Sequence, residues 1–239
     1  MDTQGDIIQK NLVRVREQVA AAARASGRNP DDVKILLATK TVEPERICQA
    51  IAAGANMIGE NRIQEALSKH EAVQQYIANH DAGIVERHFI GHLQSNKIKD
   101  MLGCTDVLET LDRPSLAQKL HAVLSAEERK LPVLIQVNTS GEESKSGVAV
   151  NEALDFSEQV LAMPYFSLLG YMTIGLNSDD REAVRASYRR LRDIRDAAGA
   201  RFGVKLPELS MGMSGDFDLA IEEGATIVRL GSIVFGHRS

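Results

Sequence analysis

The 239-residue sequence contains no tryptophan and few aromatic residues of any kind. Proteins that bind single-stranded nucleic acids stack the bases on aromatic side chains, so an aromatic content of 4% disfavours that class. Basic residues are not in excess either, because the formal net charge is -5. A nucleic acid, which attracts strongly basic surfaces, is therefore not an expected partner.

Membrane and metal signals are also missing. No apolar run approaches the roughly 20 residues that span a bilayer, and the N-terminus has no basic region followed by an apolar stretch. We therefore expect no membrane partner and a cytoplasmic location. Cys48 and Cys104 lack metal-type spacing, which indicates free thiols in a reducing compartment, with a disulfide or a metal site as the alternative. No cluster has metal-ligand spacing, so we expect no bound metal.

One short apolar segment, residues 33–39, ends in a lysine, Lys40. The residues on both sides of this segment, at odd and at even positions, are apolar, which is typical of a parallel strand buried on both faces. Lys40 shares the parity of Leu36 and Ala38, so we expect it on the inward side at the carboxyl end of the strand. Active sites of α/β proteins lie at that end. A lysine that simply extends into solvent is the alternative.

Strands and helices alternate along the chain. After a leading amphipathic helix at 7–25, strands are predicted at 33–40, 57–59, 88–91, 105–108, 133–137, 166–172, 206–211 and 226–230. Gly103 is expected to end one intervening helix, and Asp112 is expected to cap the next. This alternation predicts an α/β fold, a (β/α)₈ TIM barrel, with a doubly wound open sheet as the alternative. No linker divides the sequence, so residues 1–239 are expected to form one domain.

The unusual polar motifs all follow predicted strands. They are Gly59-Glu60-Asn61, Gly91 to Asn96, the polar loop from Asn138 to Gly147, Met172 to Gly175, Met211 to Asp216, and Gly231-Ser232. The carboxyl ends of the strands of a barrel meet at one rim, so these motifs are expected to lie together. Whether the loop at 138–147 acts as a lid is left open.

The motifs after the last two strands are candidates for phosphate binding. Gly212-Met213-Ser214-Gly215 and Gly231-Ser232 offer small residues, hydroxyl groups and backbone N–H groups in loops that often hold phosphate in such barrels. A tight turn with Ser214 as a helix cap is the alternative for the first motif. Closure of the barrel would place Lys40 beside these loops. A partly desolvated lysine forms Schiff bases with carbonyl compounds.

Charged residues near the predicted strand ends allow two interpretations each. Arg229 lies inside an apolar strand and needs a partner, either a carboxylate such as Glu60 or an acceptor on a ligand. His88 is interpreted as a hydrogen-bonded wall residue rather than as a catalyst. Asp216 is interpreted as a cap or dipole residue of the following helix.

These motifs together resemble the pyridoxal 5′-phosphate (PLP) homeostasis protein family, the YggS/PROSC-type proteins. The resemblance extends over nearly the whole chain and rests on Leu37 to Thr41, Gly59 to Glu65, His88 to Lys97, Ser144 to Gly147, Leu209 to Ser214, and Val228 to Gly231. Two positions depart from the family pattern. Arg87 stands where many relatives have an aromatic residue, and Gly215 stands where an acidic residue is common.

The resemblance implies a fold-type III barrel, like the N-terminal domain of alanine racemase, that holds PLP as a Schiff base on Lys40. The other residues that it implies are Ser214, Gly231 and Ser232 at the phosphate, Arg229 at the pyridine nitrogen, Asn61 and His88 in the pocket wall, and Met172 or Met213 near the ring. We further expect a monomeric carrier with little or no turnover that buffers PLP or delivers it through transient contact with apo forms of PLP-dependent enzymes.

Three other functions remain open at this point. An amino-acid racemase with weak activity would share the barrel and the cofactor. A Schiff-base aldolase acting on a phosphosugar would use Lys40 without a cofactor. A pure interaction module would need neither Lys40 nor a small ligand.

Overall fold

Strands and helices alternate throughout the part of the chain that the structure, a computed structural model, describes, which is residues 4–142 and 144–236. The strands are β1 (Lys34–Ala38), β2 (Met57–Glu60), β3 (Glu86–Phe89), β4 (Val107–Leu111), β5 (Leu131–Asn138), β6 (Val148–Ala149), β7 (Phe166–Met172), β8 (Glu208–Ser210) and β9 (Ile227–Leu230). The helices are α1 (Gln4–Ala25), α2 (Pro44–Ala52), α3 (Ile63–His80), α4 (Ile98–Cys104), α5 (Pro114–Ala126), α6 (Ala153–Leu161), α7 (Arg181–Phe202), α8 (Phe217–Glu222) and α9 (Ser232–Phe235).

Eight of these strands form a closed parallel barrel. Neighbours follow the order β4-β3-β2-β1-β9-β8-β7-β5, and the pairing of β4 with β5 closes the sheet. The two-residue strand β6 pairs with β5 as a short extension. The predicted barrel is therefore confirmed, and the open sheet is wrong because both of its would-be edges are paired to each other.

The two faces of β1 have different surroundings. Leu37 belongs to the large core between the strands and the outer helices. Leu36 instead packs with Met57 and Ile227 in a smaller cluster, and Ala38 lies against that cluster. Because the smaller cluster is separate from the core that the helices share, it fills the inside of the barrel. The predicted inward parity of Leu36 and Ala38 is confirmed.

The leading helix α1 covers the place where the first and last strands meet. It buries the apolar side chains of Ile8, Leu12, Val15 and Val19 and packs against α2, α8 and α9. Burial of each such side chain contributes about 1.5–3 kcal/mol relative to exposure. The Asn11 side chain also donates a hydrogen bond of 3.0 Å to a backbone carbonyl of α9. Helices α1 and α9 are thus fastened together.

Two predicted helix boundaries are wrong. Gly103 does not end α4, which continues to Cys104. Asp112 does not cap α5, because that helix begins at Pro114 and the preceding residue occupies its cap position. The Asp112 carboxylate instead lies 3.0 Å from Nδ1 of His92. Strand β4 extends further than predicted, which leaves a shorter connection to the helix.

The described residues also bear on the membrane and metal expectations. No helix among them is both long and apolar enough to cross a bilayer, and no group of their His, Cys, Asp and Glu side chains could hold a metal ion. Cys48 and Cys104 are both free thiols, as predicted. Burial raises the pKa of the Cys104 thiol to about 11, so this thiol stays protonated and is a poor nucleophile.

Candidate functional site

Lys40 lies at the carboxyl rim of the barrel, directly after β1. The strand ends at Ala38, Thr39 is buried, and Lys40 is exposed. Its amino group forms no hydrogen bond or ion pair with any residue that the structure describes. An amino group without a partner at an active-site rim is available to react with a carbonyl compound.

The loop after β9 lies against the end of β1. A methyl group on Gly231 would lie 3.0 Å from the carbonyl oxygen of Ala38, which is tighter than an ordinary contact. Ser232, the next residue, is exposed and begins α9. Because β1 and β9 pair directly, the loops that carry Lys40 and Ser232 are neighbours, as the predicted barrel closure required.

The loop between β8 and α8 is shaped by a carboxylate. Oδ1 of Asp216 accepts a hydrogen bond from the N–H of Met213 at 2.7 Å, and Oδ2 accepts one from the hydroxyl of Tyr188 at 2.8 Å. Burial and the neighbouring Asp216 raise the pKa of Tyr188, which keeps this hydroxyl protonated and donating. Asp216 occupies the cap position of α8, but its side chain does not cap the helix as predicted. It holds the loop around the half-buried Ser214 instead.

Arg229 is buried in β9 with only 5% of its surface exposed. Nη1 donates to Oγ of Ser210 at 2.8 Å, and Nη2 donates to the backbone carbonyl of Thr173 at 2.7 Å. The alternative ion pair with Glu60 is wrong, because the Glu60 carboxylate accepts hydrogen bonds from Lys69 and from a neighbouring hydroxyl group. Arg229 is therefore fixed by groups from β8 and from the end of β7.

A chain of polar contacts leads from Arg229 through the interior of the barrel. Oγ of Ser210 donates to Oε2 of Glu109 at 2.6 Å, and Oε1 of Glu109 lies 2.7 Å from Nδ1 of His88. Nε2 of His88 lies 3.5 Å from a carboxylate oxygen of Glu86, which is half-exposed. Glu109 is fully buried. The chain therefore places a carboxylate between two groups that can carry positive charge.

The charge of His88 follows from its neighbours. Burial alone would lower the pKa of His88, but hydrogen bonds to Glu109 and Glu86 outweigh this effect and raise the pKa to about 9. Burial would raise the pKa of Glu109, but the His88 contact holds it below the ordinary value. At neutral pH the contact is thus an ion pair in which His88 donates to Glu109.

We expect the free energy of unfolding to fall by about 3 kcal/mol as the pH rises from the unfolded pKa of His88, 6.5, through its folded pKa of about 9. A group with a raised folded pKa stabilises the fold fully below its unfolded pKa and loses that contribution at higher pH. Urea unfolding at a series of pH values measures the effect. The His88→Gln variant should lack this slope, and His92→Gln, at the rim, should keep it. A slope that His88→Gln leaves unchanged contradicts the assignment.

The remaining predicted residues lie at different depths. Asn61 follows β2 and is half-buried. A methyl group on Gly91 would lie 1.9 Å from the carbonyl oxygen of Asn61, so only glycine fits at position 91. Met172 ends β7 and is buried inside the barrel with Val107. Met213, with 40% of its surface exposed, lies at the rim surface. The two methionines proposed for one role therefore occupy different positions.

Comparisons with known proteins identify the family. The chain matches the family model described as alanine racemase, N-terminal domain, over residues 11–239. A pyridoxal phosphate homeostasis protein of Aquifex aeolicus is 42% identical over 229 residues, covering 96% of this chain and 97% of that protein. The chain belongs to the pyridoxal phosphate homeostasis protein family.

Solved structures agree with this assignment. PipY of Synechococcus elongatus PCC7942, solved with PLP bound, matches with a TM-score of 0.82 and 27% identity, covering 96% of this chain and 100% of that one. A Bifidobacterium adolescentis protein, described as unknown, matches with a TM-score of 0.93 and 39% identity, covering 98% and 97%. The family resemblance predicted from the sequence is confirmed.

The two departures from the pattern of the pyridoxal phosphate homeostasis family have local explanations. Arg87 binds the carboxylate of Asp106 through its side chain, with a shortest distance of 2.6 Å. Gly215 is exposed, and a methyl group on it would meet no neighbour within 4 Å. The adjacent Asp216 already supplies a carboxylate to this loop.

The polar loop after β5 is fastened in the described part of this family member. The Lys145 amino group donates to Glu142 at 2.7 Å and to the carbonyl of Gly175 at 2.8 Å. The Asn138 side chain donates to two backbone carbonyls of the same loop. A lid movement of this loop would have to break these contacts.

The roles of three residues in this series of polar contacts, Glu109, Ser210 and Thr173, were not predicted from the sequence. Glu109 lies within the apolar strand β4, which is the same signal that singled out Arg229, but the predicted strand ended one residue too early. Ser210 and Thr173 lie within segments that the sequence analysis singled out, but small polar residues at strand ends are common and nothing local indicated their partners. Their role depends on which strands face each other across the barrel.

Proposed function

We propose that this protein binds PLP and serves its homeostasis by buffering or delivering it, with little or no turnover. The observation that carries the proposal is the contact between Gly231 and the end of β1 at Ala38. It sets Lys40, which has no partner among the described residues, beside loops whose small residues, hydroxyl groups and backbone N–H groups suit a phosphate. The donor set therefore fits a phosphorylated aldehyde. The family membership supports the choice of PLP.

In this proposal Lys40 holds PLP covalently. The bound cofactor supplies an aldehyde, and its carbon bonds to Nζ of Lys40 while a water molecule leaves. The other proposed binding residues are Ser214, Gly231 and Ser232 for the phosphate, Arg229 for the pyridine nitrogen, and Asn61, His88, Met172 and Met213 for the pocket.

The surroundings of Arg229 are a reason to expect little catalytic turnover. Its hydrogen bonds to Ser210 and Thr173 keep a cationic donor in place, and a donor facing the pyridine nitrogen disfavours protonation there. An unprotonated ring is a weaker electron sink. The buried tyrosine hydroxyl groups are also engaged elsewhere, that of Tyr171 with Ser157 and that of Tyr188 with Asp216.

We further propose that the chain acts as a monomeric domain spanning residues 1–239, in the cytoplasm, through transient contact with apo forms of PLP-dependent enzymes. The proposal takes all of the binding residues from one chain and so assigns no role to a second copy. The free thiols of Cys48 and Cys104 are compatible with a reducing compartment.

The test is the visible absorption spectrum of the purified protein, before and after borohydride reduction, followed by peptide mapping. We expect a yellow band that reduction converts into a stable label on the Lys40 peptide. Amino acids offered to the same protein should show negligible racemisation. Efficient racemisation would favour the enzyme alternative. Absence of the band even after addition of PLP would overturn the proposal and favour the aldolase or the interaction module.

A further inference from the structure

The backbone around Lys40 forms a strained turn. The carbonyl of Thr39 accepts a hydrogen bond from the N–H of Val42 at 3.0 Å, so Lys40 and Thr41 occupy the centre of a four-residue turn. Thr41 has a φ of 60°. A positive φ at the third position is the mark of a type II turn, where glycine or asparagine is preferred. A β-branched residue there is strained and needs support from its surroundings.

Side chains from β2 and α3 supply that support. The amino group of Lys69 donates to the carbonyl of Thr39 at 2.8 Å and to Oε1 of Glu60 at 2.8 Å. Oε1 of Glu60 also accepts from the hydroxyl of Thr39 at 2.6 Å. On the other side of Lys40, Oε2 of Glu65 accepts from the N–H of Thr41 at 2.7 Å. The backbone is therefore held both before and after Lys40.

The amino group of Lys69 is fully used in contacts that hold this turn, whereas that of Lys40 is not. Only 9% of its surface is exposed, and a buried lysine requires a partner. Its ammonium group has three donors, and it contacts the Thr39 carbonyl, Glu60, and Glu65, the last at 3.5 Å. Two lysines therefore lie close to the same turn, one fixed and one available.

We propose that Lys69 and Glu65 are positioning residues for Lys40. They hold the strained turn so that the amino group of Lys40 is presented at the rim in one orientation, toward an aldehyde resting on the neighbouring phosphate loops. The inference rests on the proposed function, because it assigns the bond-forming role to Lys40. It adds that the rate of bond formation depends on residues that do not touch the ligand.

The first experiment follows covalent attachment of PLP to Lys40, trapped with borohydride at short times and quantified by peptide mapping. We expect Lys69→Met to slow attachment about tenfold, because the turn then relaxes away from its strained form. Lys34→Met is the matched control. Lys34 begins β1, the strand that leads to Lys40, and like Lys69 it is ion-paired with a glutamate, Glu208, at 2.5 Å. It should leave the rate unchanged, and equal slowing in both variants would overturn the proposal.

A rescue separates positioning from general stability. Glycine adopts a positive φ without strain, so Thr41→Gly added to Lys69→Met should restore most of the attachment rate without restoring overall stability. Failure of this rescue would overturn the proposal.

If Lys69→Met does not fold, the variants Glu65→Ala and Glu65→Gln test the proposal instead, since the side chain of Glu65 is partly exposed. The glutamine variant keeps an acceptor oxygen and should attach PLP faster than the alanine variant. Equal rates in these two variants would count against Glu65.

A readout without PLP keeps the two proposals distinguishable. The Thr41 amide should exchange its hydrogen with solvent at least about tenfold faster in Glu65→Ala than in the native chain, because its acceptor is removed. Failure of the native protein to attach PLP would overturn the proposed function but not this role in the turn. Unchanged exchange in Glu65→Ala would overturn the positioning role alone.

Discussion

Replacing Lys40 with alanine is expected to abolish covalent retention of PLP. The native amino group has no partner among the described residues, whereas Lys69 is committed to the Thr39 carbonyl and Glu60. A second lysine is therefore not free to take over at this turn. Ser214 and Ser232 remain in the variant, so weak non-covalent binding through the phosphate persists.

The measurement is the amount of PLP left after dialysis, together with the visible spectrum. We expect retention to fall at least about a hundredfold, which corresponds to about 3 kcal/mol of binding free energy. Lys130→Ala serves as the control, because Lys130 is an exposed lysine before β5, at the opposite end of the barrel. A Lys40→Ala protein that still carries a borohydride-fixed label would show that another lysine forms the bond.

Replacing Glu109 with leucine is expected to lower the free energy of unfolding by about 3–5 kcal/mol. Glu109 is fully buried, and its carboxylate lies between protonated His88 and the Ser210 hydroxyl that binds Arg229. Removing it leaves the buried Arg229 guanidinium without its anion, and His88 loses the contact that keeps its pKa raised against the effect of burial. Urea unfolding at neutral pH measures the loss.

The matched control for this variant is Glu86→Leu. Glu86 belongs to the same chain of contacts, but about half of its side chain is exposed and its distance to His88 is 3.5 Å. Exposed ion pairs contribute about 0–1 kcal/mol, so this control should cost far less. Equal losses in the two variants would show that the interior carboxylate is not the main anchor of the chain.

The sequence was sufficient to predict the barrel and the rim. Parallel strands buried on both faces have apolar residues on both sides, as in β1. Lys40 and the loops after β8 and β9 could be assigned to one rim because every carboxyl end of a parallel barrel lies there. The family motifs then pointed to the cofactor.

The interior contacts could not be predicted in the same way. Ser210 and Glu109 are separated by 101 residues, and periodicity within one strand does not reveal which residue faces it across a barrel. The support of the Lys40 turn had the same difficulty, because Lys69 looks like an ordinary helix residue until α3 is packed. Asp112 and Asp216 were assigned to helix caps from local patterns, whereas longer-range partners hold both carboxylates.

The pairing of β1 with β9 has a consequence for synthesis on the ribosome. Lys34 pairs with Ile227, so β1 cannot complete its pairing until β9, the last strand of the barrel, has been translated. Until then the nascent chain presents an open strand edge, and such long-range pairing is slow to form. The loops that carry Lys40 and Ser232 come together only when β1 and β9 pair. Ligand capture therefore follows the translation of β9, and the helix α1, translated before the strands of the barrel, is in place to receive α8 and α9 when they emerge.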